Sequence, residues 1–139
     1  MLYIDADNSI YGRLSTYVAK SLLNGEEVVV VNAAKAVVTG RRDSVLQKFL
    51  HMRDIGSVRK GPYYPRTPDK ILRRSIGDML PKKQTRGKEA LRRCTVYAFV
   101  PDELKGKDFL KIDKFANEKV NGFVTLAEIA KIMGQKVRE

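Results

Sequence analysis

The chain has 139 residues, 43% of them hydrophobic, and 27 Lys/Arg against 16 Asp/Glu, a formal net charge of +11. A single cysteine, Cys94, and a single histidine, His51, exclude a disulfide framework and any Cys/His metal cluster. The acidic start MLYIDADNSIYGR lacks the basic and apolar regions of a signal peptide and no stretch approaches a membrane span, so one domain with its own core is expected in a reducing, cytosolic setting.

Leu2 to Ile4 is a short strand-forming run closed by Asp5-Ala6-Asp7-Asn8, which is turn and capping chemistry. From Gly12 the period becomes helical: Leu14, Tyr17, Val18, Ser21 and Leu22 share a face, and Asn24-Gly25 supplies a left-handed stop. Val28 to Val31 has no polar alternation, which suits a strand buried on both faces in a parallel sheet. After an Asn32–Lys35 turn, Ala36 to Thr39 reads as another strand. This strand-helix-strand layout would suit a dinucleotide, but only Gly12 stands where G-x-G-x-x-G is needed, and Gly40-Arg41-Arg42-Asp43-Ser44 lacks the P-loop spacing. The unit reads as scaffold, and no cofactor is expected.

Asp43 or Ser44 can cap the next helix, in which Val45, Leu46, Phe49 and Leu50 form an apolar stripe. His51, near its end, is expected to face solvent or a carbonyl. No serine, cysteine or carboxylate pair is placed to act as nucleophile and base, so neither catalysis nor a small-molecule substrate is expected.

Charge then concentrates. Residues 53–93 hold thirteen Lys/Arg and four Asp/Glu, whereas 1–52 hold six and five, and 94–139 hold eight and seven. A solvated face mixes its signs, so one sign gathered in a single segment points to a polyanion. A membrane surface fits less well, because prolines interrupt any long amphipathic helix. From Ile55 to Thr67 the helical period is lost, and Gly56, Gly61, Pro62, Pro65 and Pro68 impose an irregular path. Tyr63 and Tyr64 can stack on a base or a ribose, or one of them can cap the core. A helix from Asp69 turns Ile71, Leu72 and Ile76 inward, with Met79 and Leu80 as further inward candidates, and leaves Lys70, Arg73 and Arg74 room to point out together. Arginine forks pair with phosphate oxygens in a bidentate way, which makes Arg73 and Arg74 the preferred anchors. Pro81-Lys82-Lys83 is a basic turn, and Gln84 to Arg93 reads as a short helix with Ala90 and Leu91 inward.

The candidate nucleic-acid-binding residues are therefore Arg59, Lys60, Tyr63, Tyr64, Arg66, Lys70, Arg73, Arg74, Lys82, Lys83, Arg86, Lys88, Arg92 and Arg93. Arg13, Arg41 and Arg42, at strand-helix connections, are possible additions.

Cys94 to Val100 is β-rich and should return to the sheet, with Cys94 as a buried structural thiol rather than a reactive one. Beyond Pro101, mixed charge with little periodicity suggests an extension over the surface of the domain or of a partner. Thr125-Leu126-Ala127-Glu128 is a capping box before a short helix with Leu126, Ile129, Ala130, Ile132 and Met133 on one side, and a helix this short must dock to be stable. Residues 1–100 are read as an α/β domain that includes the nucleic-acid-binding segment 53–93, and 101–139 as an extension of that same domain.

The blocks Asp5 to Leu14, VVVVNAAKAVVTG at 28–40, GPYYPRTPDKILRRSI at 61–76, MLPKK at 79–83 and RGKEAL at 86–91 together resemble the universal family of ribosomal large-subunit protein thirteen, in its archaeal form. The resemblance spans about residues 2–100. It implies a three-layer α/β/α fold around a mainly parallel sheet of about four strands, with a basic loop-helix insertion and a C-terminal extension. It also implies binding to large-subunit ribosomal RNA, contacts with neighbouring large-subunit proteins, and a role in subunit assembly. The chain departs from the family at Gly77-Asp78, where a basic residue and glycine are usual, and at Ala34, where an acidic residue is common. The other readings are a small α/β enzyme using the basic segment as an anion pocket, and a scaffold that binds protein alone.

Overall fold

A computed structural model of the chain describes residues 1–135; the last four residues of the expected extension, 136–139, lie outside them. The elements in order are β1 (Leu2–Asp5), α1 (Tyr11–Leu23), β2 (Val28–Val31), β3 (Val37–Thr39), α2 (Arg42–Asp54), α3 (Pro68–Asp78), α4 (Thr85–Arg92), β4 (Cys94–Val96), β5 (Phe123–Thr125) and α5 (Leu126–Ile132). The fold is α/β, as the valine run and the helical periods require.

β1, β2 and β4 form a parallel sheet in the order β1-β2-β4, with Leu2 opposite Val28 and Val28 opposite Cys94. Val28, Val30 and Val31 are fully buried, which agrees with a central parallel strand covered on both faces. The parallel sheet holds three strands rather than four. The run expected at 36–39 pairs instead with β5 as a separate antiparallel ribbon, Val38 opposite Val124. The run at 94–100 is strand only to Val96; the Tyr97 N–H still donates to the Val30 carbonyl at 2.8 Å, and the Tyr97 and Ala98 carbonyls then accept from the Ala33 and Ala34 N–H groups of the turn after β2.

Most of the apolar faces that the spacing predicts are buried, but Ile132 of α5 and Met79 after α3 are exposed. Leu14, Val18 and Leu22 of α1 and Ile71, Leu72 and Ile76 of α3 are at most 1% exposed. They meet one another, since α3 packs on α1, β4 and α5. α2 buries Val45 and Phe49, but neither Asp43 nor Ser44 caps it: Arg41 holds the cap position without a side-chain bond. Asp43 lies in the first turn instead, where a carboxylate meets the positive end of the helix. At α5 the Glu128 N–H donates to Thr125 Oγ1 at 3.3 Å, one half of the expected box. The Glu128 carboxylate turns to Arg42 at 3.0 Å, tying α5 to the start of α2.

Between Pro101 and β5 the chain reaches the outer edge of β1 at Leu110. The Asp5 N–H donates to the Leu110 carbonyl at 3.0 Å, and the Leu110 N–H donates to the Tyr3 carbonyl at 2.9 Å. Asn117 N–H donates to the Asn8 carbonyl at 2.9 Å. These bonds cover a sheet edge that would otherwise present unpaired backbone. No helix among the described residues is long and apolar enough to cross a membrane.

α4 approaches the chain before it so closely that a Cβ on Gly87 would lie 2.1 Å from the Pro81 carbonyl oxygen. The obstacle is backbone and cannot move aside as a side-chain tip would. Gly87→Ala is therefore expected to destabilise the fold by about 1–3 kcal/mol or more, read as a lowered midpoint in urea denaturation.

Candidate nucleic-acid interface

α3 sets the geometry of the basic segment. With Ile71, Leu72 and Ile76 buried, the helical period forces Lys70, Arg73 and Arg74 onto the solvent side, and all three are exposed. Pro68 at the first helical position fixes the start of the helix. The Arg73 guanidinium donates to the Leu91 carbonyl at 3.2 Å, which aims it across the gap between α3 and α4.

Lys70, Arg73 and Arg74 converge with Lys82 on a groove of about 500 Å³ that is also lined by Tyr63, Tyr64, Pro65, Gly77 and Leu91. A neighbouring groove of about 440 Å³ is lined by Arg53, Arg66, residues 54–58 and Pro62, and shares Tyr63 and Tyr64. The tyrosine pair thus forms the partition between two basic grooves.

The two tyrosines divide the roles that the sequence left open. Tyr64 packs on the core residue Phe49, ring centroids 6.1 Å apart, and Arg74 lies 5.2 Å above its ring. Burial pushes the Tyr64 phenol up to about 12. It is the core cap, and through the cation-π contact it holds Arg74 in place. Tyr63 is 67% exposed, and its hydroxyl donates to the Val58 carbonyl at 2.7 Å, so its ring stands out from the surface in a fixed position.

The remaining candidates take several positions. Arg59, Lys60 and Arg66 are exposed on the loop before α3, where the Lys60 N–H donates to Ser57 Oγ at 2.9 Å. Lys83, Arg86, Lys88 and Arg92 are exposed on the turn and on the outer side of α4, whose inner side is Gly87 and Ala90. Arg93 is turned inward: its guanidinium donates to the Leu22 carbonyl at 2.7 Å, at the C-terminal end of α1, and its Nε is buried. A cation there meets the negative end of the helix. Arg53 hydrogen bonds to Asp54 at 2.9 Å. The anion added at Asp78 is paired with Lys82 on the same surface turn, so it offsets one cation of the groove rather than standing alone.

Arg13, Arg41 and Arg42 are exposed but line neither groove. Arg41 and Arg42 open α2, where Arg42 meets Glu128. Arg13 shares a separate groove of about 290 Å³ with Thr16, Tyr17, Lys20, Lys114 and Phe115. Lys20 and Lys114 were not singled out from the sequence, although the spacing of seven between Arg13 and Lys20 on one helix was a legible signal.

The site offers little to an acid-base mechanism. Among the described residues no group of three or more His, Cys, Asp or Glu side chains could hold a metal ion. Cys94 is buried, and burial pushes its thiol up to about 11 despite the charge of Arg73. His51 is exposed in the last turn of α2. What the surface can do is hold negative charge.

The model of the family described as ribosomal protein L13 matches residues 1–103. The large ribosomal subunit protein uL13 of Picrophilus torridus is 62% identical over 135 residues, 97% of this chain and 98% of that protein. The protein of the same name from Thermoplasma volcanium is 61% identical over 96% of this chain and 98% of its own length. That of Archaeoglobus fulgidus is 48% identical over 94% of this chain and 86% of its own length.

The thiol gives a direct check on the packing beneath the site. Because the folded chain favours the neutral form, the contribution of Cys94 to stability is full below about pH 9 and is lost as the pH rises toward about 11. At pH 8 the native thiol should react with a thiol-specific reagent at least roughly a hundredfold more slowly than the urea-unfolded chain. Equal rates would mean that β4 is not packed as described.

Proposed function

The chain belongs to the ribosomal protein L13 family, and from that membership we propose that it binds large-subunit ribosomal RNA through the basic face of α3, α4 and their flanking loops, and so supports assembly of the subunit. It is a structural component of the large ribosomal subunit, in the cytoplasm, and not an enzyme. The observation that carries the RNA reading is the convergence of Lys70, Arg73, Arg74 and Lys82 on one open groove.

The mechanism is architectural. Arg59, Lys60, Arg66, Lys70, Arg73, Arg74, Lys82, Lys83, Arg86, Lys88 and Arg92 neutralise backbone phosphates, and each neutralised phosphate releases condensed counterions. The loop, helix and turn hold these cations at fixed spacing, so the surface selects the shape of a folded RNA rather than a base sequence. Tyr64 and Arg93 support the face from beneath, the first through Arg74 and the second by tying the start of β4 to the end of α1. Arg13, Arg41 and Arg42 are assigned to the margins of the footprint. The extension beyond Pro101, on which Val120 is 87% exposed, is assigned to contacts with neighbouring large-subunit proteins.

If roughly six phosphates are contacted, the logarithm of affinity for a large-subunit ribosomal RNA transcript should fall against the logarithm of salt concentration with a slope of about −4 to −5. Replacing Arg73 and Arg74 together should flatten that slope by about two units. Affinity that does not change with salt would overturn the proposal.

A further inference from the structure

We propose that the groove between Tyr63 and α4 takes an unpaired, extruded nucleotide, its base stacked on the Tyr63 ring and its phosphate held by Arg73 and Arg74, the groove arginines that form no ion pair among the described residues. This rests on the RNA reading above and names the form of RNA that the groove recognises.

Three observations carry it. The first is the lining. A surface that touches only phosphates has no use for an apolar floor, yet Gly77 and Leu91 form one beneath the cationic rim. An apolar floor with a charged rim suits a base joined to a phosphate, and the volume of about 500 Å³ lies within the range of roughly 300–1,000 Å³ usual for small-molecule sites.

The second is the tight packing of the floor. Gly77 is buried, and a Cβ built on it would already touch Leu91 Cδ2 at 3.4 Å and Lys82 Cε at 3.7 Å. A side chain longer than that of alanine would displace Leu91 or Lys82, both of which line the groove.

The third is the exposed ring. An aromatic side chain left 67% exposed gains little from burial in the protein, and the bond from its hydroxyl to Val58 holds the ring in place before any ligand arrives. Stacking on a ring already fixed costs less side-chain entropy. Single-stranded and bulged RNA is recognised in this way, through aromatic faces, whereas a paired duplex keeps its base faces covered.

The test uses the full chain and two probes, a short oligoadenylate and an abasic ribose-phosphate oligomer of the same length. The wild-type chain should bind the oligoadenylate roughly 5- to 100-fold more tightly than the abasic oligomer at the same salt concentration. Tyr63→Ala should remove that preference and leave the salt slope unchanged, while Tyr63→Trp should retain it. Gly77→Leu should remove it by displacing Leu91 and Lys82 from the groove. Equal binding of the two oligomers by the wild-type chain would overturn the stacking proposal and leave the electrostatic one standing, as would a Tyr63→Ala variant that keeps the preference. Failure of both oligomers to bind, or binding that ignores salt, would instead overturn the RNA reading itself.

Discussion

The burial of one face of α3 is the constraint on which the interface depends. Ile71, Leu72 and Ile76 are fully excluded from solvent between α1, β4 and α5. In a helix of 3.6 residues per turn, this leaves Lys70, Arg73 and Arg74 no side but the outer one. Removing the apolar contacts would therefore scatter the cations even though no charge had changed. The same core reaches the interface through Phe49, on which Tyr64 rests, and through Tyr64 to Arg74. Packing and charge placement are one problem here, solved by a single short helix.

A face of one sign repels itself, and the fold bears that cost in identifiable ways. Asp78 offsets Lys82, Asp54 offsets Arg53, and Glu128 offsets Arg42. These pairs are largely exposed, so each contributes little to stability. The groove cations Lys70, Arg73 and Arg74 form no ion pair among the described residues. A polyanion that binds them meets less competition from the protein's own carboxylates than it would at a mixed surface. Arg93 shows the opposite use of charge, donating to the Leu22 carbonyl at the end of α1 in the same segment whose other cations face out.

Much of this was legible in the sequence because local periodicity decided it. The valine run at 28–31, the stripes of α1 and α3, the glycine stop after α1 and the Thr125 cap all follow from spacings of a few residues. What was not legible depends on partners far along the chain. β3 has three residues, and whether it joins the parallel sheet or pairs with β5 is decided by a segment more than eighty residues away. β4 stops at Val96 despite the β propensity of residues 97–100, because the Tyr97 and Ala98 carbonyls accept from the Ala33 and Ala34 N–H groups of the turn that follows β2. The inward turn of Arg93 could not be told from its neighbour Arg92, since both are basic and adjacent; only the position of the Leu22 carbonyl separates them. The division between Tyr63 and Tyr64 likewise required the place of Phe49. The extension showed no periodicity because single residues such as Leu110 anchor it along an edge, with no repeating face.

The most direct measurement is the chemical reactivity of individual lysines in the full chain, with and without a large-subunit ribosomal RNA transcript. If the basic face of α3 and α4 is the RNA surface, Lys70, Lys82, Lys83 and Lys88 should be shielded, while Lys105, Lys111 and Lys119 on the extension stay reactive; all seven are exposed in the free chain. Uniform shielding, or shielding confined to the extension, would contradict it.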